Sequence, residues 1–103
     1  MEILEAKGFL GRLRGYMFTR IDRADRAILF RNCKSVHSCF MFFDLSLFAV
    51  DRGGVVVAVE HGVRPWRVRF YRNAAHLIEV PSVHLEKLGF SHVEPGVKIN
   101  VDV

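Results

Sequence analysis

His37, Cys39 and Met41 recur at every second position, and Cys33 lies just upstream of them. Imidazole, thiolate and thioether on one strand face would suit a soft metal such as Cu(I). Yet five residues separate the two cysteines, which is not a zinc-knuckle spacing, and no CxxC or HxxxH pair completes a ligand set. Methionine and free cysteine also fill gaps in ordinary cores. The core reading is favoured, the soft-metal site is a second alternative, and no cofactor is expected.

For nucleophilic catalysis, Cys33 or Cys39 would need a base and an orienting group. The histidines His37, His61, His76, His84 and His92 are scattered. No nucleophile elbow, phosphate loop or dinucleotide fingerprint is present, so a non-enzymatic protein is expected. Glu79 lies between Ile78 and Val80. With those two facing the core it reaches the surface; in a central strand it would be a semi-buried carboxylate in need of a partner.

Arg64, Arg67, Arg69 and Arg72 interleave with Trp66, Phe70 and Tyr71. Cations that meet phosphates beside rings that stack on bases are the mixture that holds single-stranded nucleic acid. Strand alternation, however, puts Trp66, Val68 and Phe70 on one side and Arg67 and Arg69 on the other. That pattern predicts an edge strand with its apolar side inward, which leaves nucleic-acid binding as the alternative reading.

The elements that must position these residues centre on positions 35–51, SVHSCFMFFDLSLFAVD. Alternation over Val36–Phe43 predicts a deep strand, and Leu45–Val50 predicts a second one after a kink at Asp44. DRGG over Asp51–Gly54 predicts a hairpin turn. The run Val55–Val59 predicts a returning strand buried on both faces. Further strands are expected over Ile28–Phe30, His76–Val80 and Val97–Val101. Residues 19–27 read as a solvated loop or short helical turn. Pro81 and Ser82 would open a short helix over 82–88, capped by Gly89. The sum is a mainly β (α+β) domain, a compact antiparallel, bent or barrel-like sheet of six to seven strands with one short helix.

With 103 residues, half of them hydrophobic and nine of them Phe, the chain can bury one core and is expected to be one domain. Residues 1–14 read as a flexible, Gly-punctuated basic lead-in. The net charge is +4, and eleven of fifteen basic residues are Arg, which suggests anionic partners. Two cysteines give no disulfide framework, and no apolar run reaches membrane-spanning length. A cytoplasmic protein without a signal peptide is therefore expected.

Several blocks, in order, resemble a widespread prokaryotic family known as domain-of-unknown-function family 192. They are GYMFTR at Gly15–Arg20, CKSVHSCFMFFDLSLFAVD at Cys33–Asp51, RPWRV at Arg64–Val68, AAHLIEVPSVHLEKLGF at Ala74–Phe90 and PGVKI at Pro95–Ile99. Arg20, His37, Met41 and Glu79 match the family pattern. Its Pro-Ile-Asp triplet is Asp44-Leu45-Ser46 here, so the family aspartate maps to Ser46, with an acid two positions earlier. Val83 replaces a family glycine, and Val97 or Lys98 an aspartate. The resemblance implies a small β-domain with a polar pocket, often exported in relatives. It also makes Arg20 the natural partner of Glu79, chiefly as a structural ion pair and otherwise around a ligand.

Together these readings predict a binding or interaction module with a core of Phe40, Phe42, Leu47, Phe48, Val55, Val57, Val59, Leu77 and Leu88. Its ligand-binding pocket would gather Arg20, His37, Ser46 and Glu79, with Trp66 and Arg67 at the rim. A small anionic molecule or an added partner strand would occupy it.

Overall fold

The computed structural model describes residues 3–6 and 15–100. Seven strands form among them: β1 (Ile3–Glu5), β2 (Ala27–Phe30), β3 (Ser35–His37), β4 (Leu45–Val50), β5 (Val56–Val63), β6 (Val68–Phe70) and β7 (His76–Pro81). Five make one sheet in the order β1-β2-β7-β4-β5, and β3 pairs with β6 in a separate ribbon. All pairings are antiparallel except β1 with β2.

β4 and β7 are the central strands, and every residue in both is buried. That explains their near-continuous apolar sequences, since both faces of the sheet are covered. On one face Leu29, Phe48, Val50, Ile78 and Val80 pack against Leu88, Phe90, Val93 and Ile99 from the C-terminal segment. On the other, Ile28, Phe30, Leu45, Leu47, Ala49 and Leu77 meet Tyr16, Met41 and Ala74, with Val36 and Tyr71 from the β3–β6 ribbon region packed alongside. The turn after β4 closes as its composition predicts: Asp51 Oδ1 accepts the N–H groups of Gly53 and Val55, and Gly54 takes a positive φ of 84°.

Several expectations are corrected. The outer strands β1 and β5 do not pair with each other, so the described residues form no closed barrel. Residues 82–88 make a 3-10 turn over Ser82–His84 followed by isolated turn bonds, Leu88 N–H to the His84 carbonyl and Phe90 N–H to the Leu85 carbonyl. A segment this short cannot offset the cost of helix nucleation. The basic lead-in includes β1 at Ile3–Glu5; its residues 1–2 and 7–14 lie outside the described residues, as does Val101 of the expected last strand. That last strand reduces to a single bridge, Val55 with Lys98.

The deepest correction concerns the Phe-rich ribbon. The strand expected over Val36–Phe43 ends at His37, and Phe40 and Phe42 are 45% and 63% exposed. Val57 is exposed and Val55 and Val59 only half-buried, because β5 is an edge strand. Leu47, Phe48, Leu77 and Leu88 are buried as predicted. β6 is turned the other way from its expected orientation. Val68 and Phe70 are 69% and 65% exposed, while Arg69 points inward to Glu60.

Candidate functional site

Three tight turns carry aromatic residues where glycine is normally required. Thr19 N–H bonds to the Tyr16 carbonyl and Met41 N–H to the Ser38 carbonyl, closing turns 16–19 and 38–41. A third turn, 64–67, has Pro65 in its second position. The third position of each is in left-handed backbone: Phe18 at φ 61°, Phe40 at φ 61° and Trp66 at φ 66°. A turn of this kind calls for Gly or Asn there. The left-handed conformation costs a side-chain-bearing residue about 1–2 kcal/mol.

The three rings meet. Phe18 and Phe40 have centroids 5.0 Å apart, and Phe40 and Trp66 4.6 Å apart, tilted and edge-on. All three remain solvent-exposed, Phe18 by 57% and Trp66 by 59%. Val68 and Phe70 continue the apolar surface along β6.

Ser38 holds this platform together. Its hydroxyl donates to the Arg64 carbonyl at 2.6 Å and accepts the Arg67 N–H at 2.8 Å. It thereby stands inside turn 64–67, bridging the bond that would otherwise close it. Its own carbonyl accepts Trp66 N–H, its N–H reaches the Arg67 carbonyl, and Phe18 N–H bonds to the Phe40 carbonyl. Ser38→Ala is expected to leave buried partners unpaired and to cost roughly 1–3 kcal/mol in urea unfolding, with Trp66 emission altered. An unchanged midpoint and spectrum would contradict this role.

Arg64 and Arg67 begin and end the Trp66 turn, and Arg72 follows two residues after Phe70; all three are exposed and have no ion pair among the described residues. Arg67 makes only long contacts to the carbonyls of Pro65 and Trp66, at 3.5 and 3.4 Å. Arg69 is spoken for: its Nε lies 2.9 and 3.0 Å from the Glu60 oxygens, and Tyr71 donates to the same carboxylate at 2.6 Å. Burial alone would raise the Glu60 pKa, but the Tyr71 and Arg69 hydrogen bonds and the Arg69 charge hold it low. Burial, and then Glu60, push the Tyr71 hydroxyl up.

The predicted polar pocket does not assemble. Glu79 lies opposite Leu47 and Ile28, on the Tyr16 side of the sheet. Ser46 lies opposite Val80 and so faces the other way. There Ser46 Oγ bonds to His61 Nδ1 at 2.8 Å and Ser82 Oγ at 3.0 Å. Asp44 is exposed, its carbonyl accepting Ser82 N–H. Arg20 pairs with its neighbour Asp22 at 3.4 Å on the surface, not with Glu79. His37 sits at the end of β3, its Nδ1 accepting Cys39 N–H at 3.1 Å. Because β3 stops there, the alternation that aligned His37, Cys39 and Met41 is broken, and Met41 is a core residue. Cys33 and Cys39 are free thiols. Trp66 and Arg67, assigned to a rim, belong to the platform.

Glu79 is 1% exposed, and its Oε1 has no hydrogen-bond partner among the described residues; nor does the buried Tyr16 hydroxyl. Burial pushes the Glu79 pKa up to about 8, so it is a neutral acid at neutral pH. Burial, then the charges of Glu79 and Asp25, raise the Tyr16 hydroxyl. Gly15, at φ 46°, allows this approach: a Cβ there would stand 3.1 Å from Phe30 Cζ and 3.2 Å from Glu79 Oε1.

Fold and site define a small β-domain in which a five-stranded sheet supports a two-stranded ribbon and an outward-facing aromatic platform. The chain belongs to the DUF192 family, described as "Uncharacterized ACR, COG1430", whose model matches residues 1–101. It shares its fold with a "putative transcription regulator" from Sinorhizobium meliloti 1021, at TM-score 0.75 and 18% identity, over 93% of this chain and 78% of that one. A protein of unknown function from Novosphingobium aromaticivorans DSM 12444 is similar at TM-score 0.73 and 16% identity, over 93% and 71% of the two chains. No curated protein matches the chain. No helix among the described residues is long and apolar enough to cross a membrane.

Proposed function

We propose that the domain is a non-enzymatic binding module that grips an anionic partner through the platform of Phe18, Phe40 and Trp66 and its arginine rim. The observation that supports this reading most is the left-handed backbone at all three rings. Strain of this sort persists where the surrounding structure holds it for a purpose. Here it turns three large apolar side chains toward solvent, against the hydrophobic effect, instead of into the core they could have filled. Arg64, Arg67 and Arg72 supply cationic groups without an ion pair among the described residues. The net charge of +4 favours an acidic partner over a basic one. The polar-pocket reading loses its support, since Ser46 and Glu79 lie on opposite faces of the sheet.

Heparin chromatography tests the reading. The wild type should be retained at low salt and elute within the range where screening becomes complete, about 0.1–1 M. The combined Arg64→Ser, Arg67→Ser and Arg72→Ser variant should elute markedly earlier while unfolding at the same temperature. Equal elution of the two proteins would contradict an anionic partner at this surface.

A further inference from the structure

We infer that the anionic partner is single-stranded nucleic acid, its bases stacked on Trp66, Phe40 and Phe18 and its backbone led along β6 past Arg72. This deepens the binding-module reading and rests on it. The support is the combination of charge with flat, exposed rings. A polyanion without bases, such as heparin, needs only the arginines. A partner protein could also cover aromatic side chains, but it would not call for a row of arginines running on from the rings toward a second cationic groove. Rings on three separate turns, each left partly bare, instead suit planar groups that arrive one after another along a strand.

The surface also continues in the right direction. Ser35 lies opposite Phe70, and Lys34 precedes it at the same end of the ribbon. Beyond Arg72 opens a groove of about 500 Å³ lined by Asn32, Lys34, Asp51, Arg52, Asn73 and neighbouring alanines. Its carboxylate is engaged in the hairpin turn through Asp51 Oδ1. Lys34 Nζ donates to the Arg72 and Ala74 carbonyls, which places a cation in the groove wall. Rings at one end and cations at the other form a track about six residues long, or roughly 20 Å.

Trp66 is the chain's single tryptophan, so its emission reports directly on the platform. The probe is an oligonucleotide of about 12 nucleotides, set against the matching duplex and against heparin. The single strand should quench Trp66, and neither the duplex nor heparin should do so. Phe40→Ala should weaken binding about 5- to 150-fold, the loss expected for one stacked base. A plot of log affinity against log salt should have a slope of about −2 if Arg64, Arg67 and Arg72 alone meet phosphates. A steeper slope that relaxes in Arg52→Ala brings the groove into the path. Heparin retention without quenching by the single strand would overturn the nucleic-acid inference and leave the anionic reading intact. Loss of both would end both. A dimer in solution with Trp66 buried between its copies would likewise overturn it.

Discussion

Glu79→Gln should flatten the pH dependence of stability and leave the variant more stable than the wild type above pH 8, the value to which burial lifts this carboxyl. Below the ordinary carboxyl value of 4.5 the folded and unfolded chains both keep the proton, and Glu79 contributes no slope. Between 4.5 and about 8 the unfolded chain releases it while the folded chain holds it. The unfolded state then binds fewer protons, so stability falls as pH rises. Above about 8 both forms are ionised and the loss is constant. The full size should be roughly 4–5 kcal/mol for a carboxyl 1% exposed on the Ile28 and Leu47 face of the sheet. Tyr16 is held neutral throughout this range, and Asp25 acts on Tyr16 rather than facing Glu79 from the sheet. Urea unfolding at about pH 5 and about pH 9 checks it, since the wild type should lose far more stability between the two than the variant. Equal losses would show that Glu79 does not hold a proton in the folded protein.

Such a carboxyl could be half-read in the sequence. Its place between Ile78 and Val80 fits either a surface carboxylate or a central strand, and only in the second case does desolvation physics require a partner. The family resemblance points to Arg20 as that partner, but Arg20 pairs with Asp22 on the surface instead. Gly15, which lies against Glu79, and Tyr16, which shares its side of the sheet, give no sign in the sequence beyond a glycine before an aromatic residue. The sheet itself was legible, because β4 and β7 are dense apolar runs and Asp51–Gly54 is turn chemistry. So were Leu47, Phe48, Leu77 and Leu88 as core.

The platform was not legible, and for a definite reason. Alternation over Val36–Phe43 describes a strand equally well whether or not the chain turns at residue 38, and local propensity favours the strand. The turn forms because Ser38 is drawn into bonds with Arg64, Trp66 and Arg67, contacts made across 26 or more residues of sequence. One local sign existed, Pro65 before Trp66, which is a turn-opening pair. In the same way, the inward ion pair of Arg69 with Glu60 sets which side of β6 faces solvent, and amphipathic patterning alone points to the opposite side.

Replacing Phe18, Phe40 and Trp66 together by glycine should abolish binding at a cost in stability well below that of a core aromatic triad. Three left-handed residues store about 3–6 kcal/mol that glycine would release. Against that stand two lost ring contacts at about 0.5–1.5 kcal/mol each. The added backbone freedom costs a further 0.5–1 kcal/mol or so at each site. The half-buried faces of the rings add roughly 1–2 kcal/mol of lost burial each, so unfolding free energy should fall by about 4 kcal/mol in all. A core aromatic triad would behave quite differently, losing about 3–5 kcal/mol for each ring. The decisive measurement pairs the unfolding free energy of this triple variant with its affinity for a labelled single strand, read by anisotropy. A loss of about 4 kcal/mol with affinity gone is the predicted result; a loss of about 9 kcal/mol or more, the core-triad value, with affinity kept would contradict it.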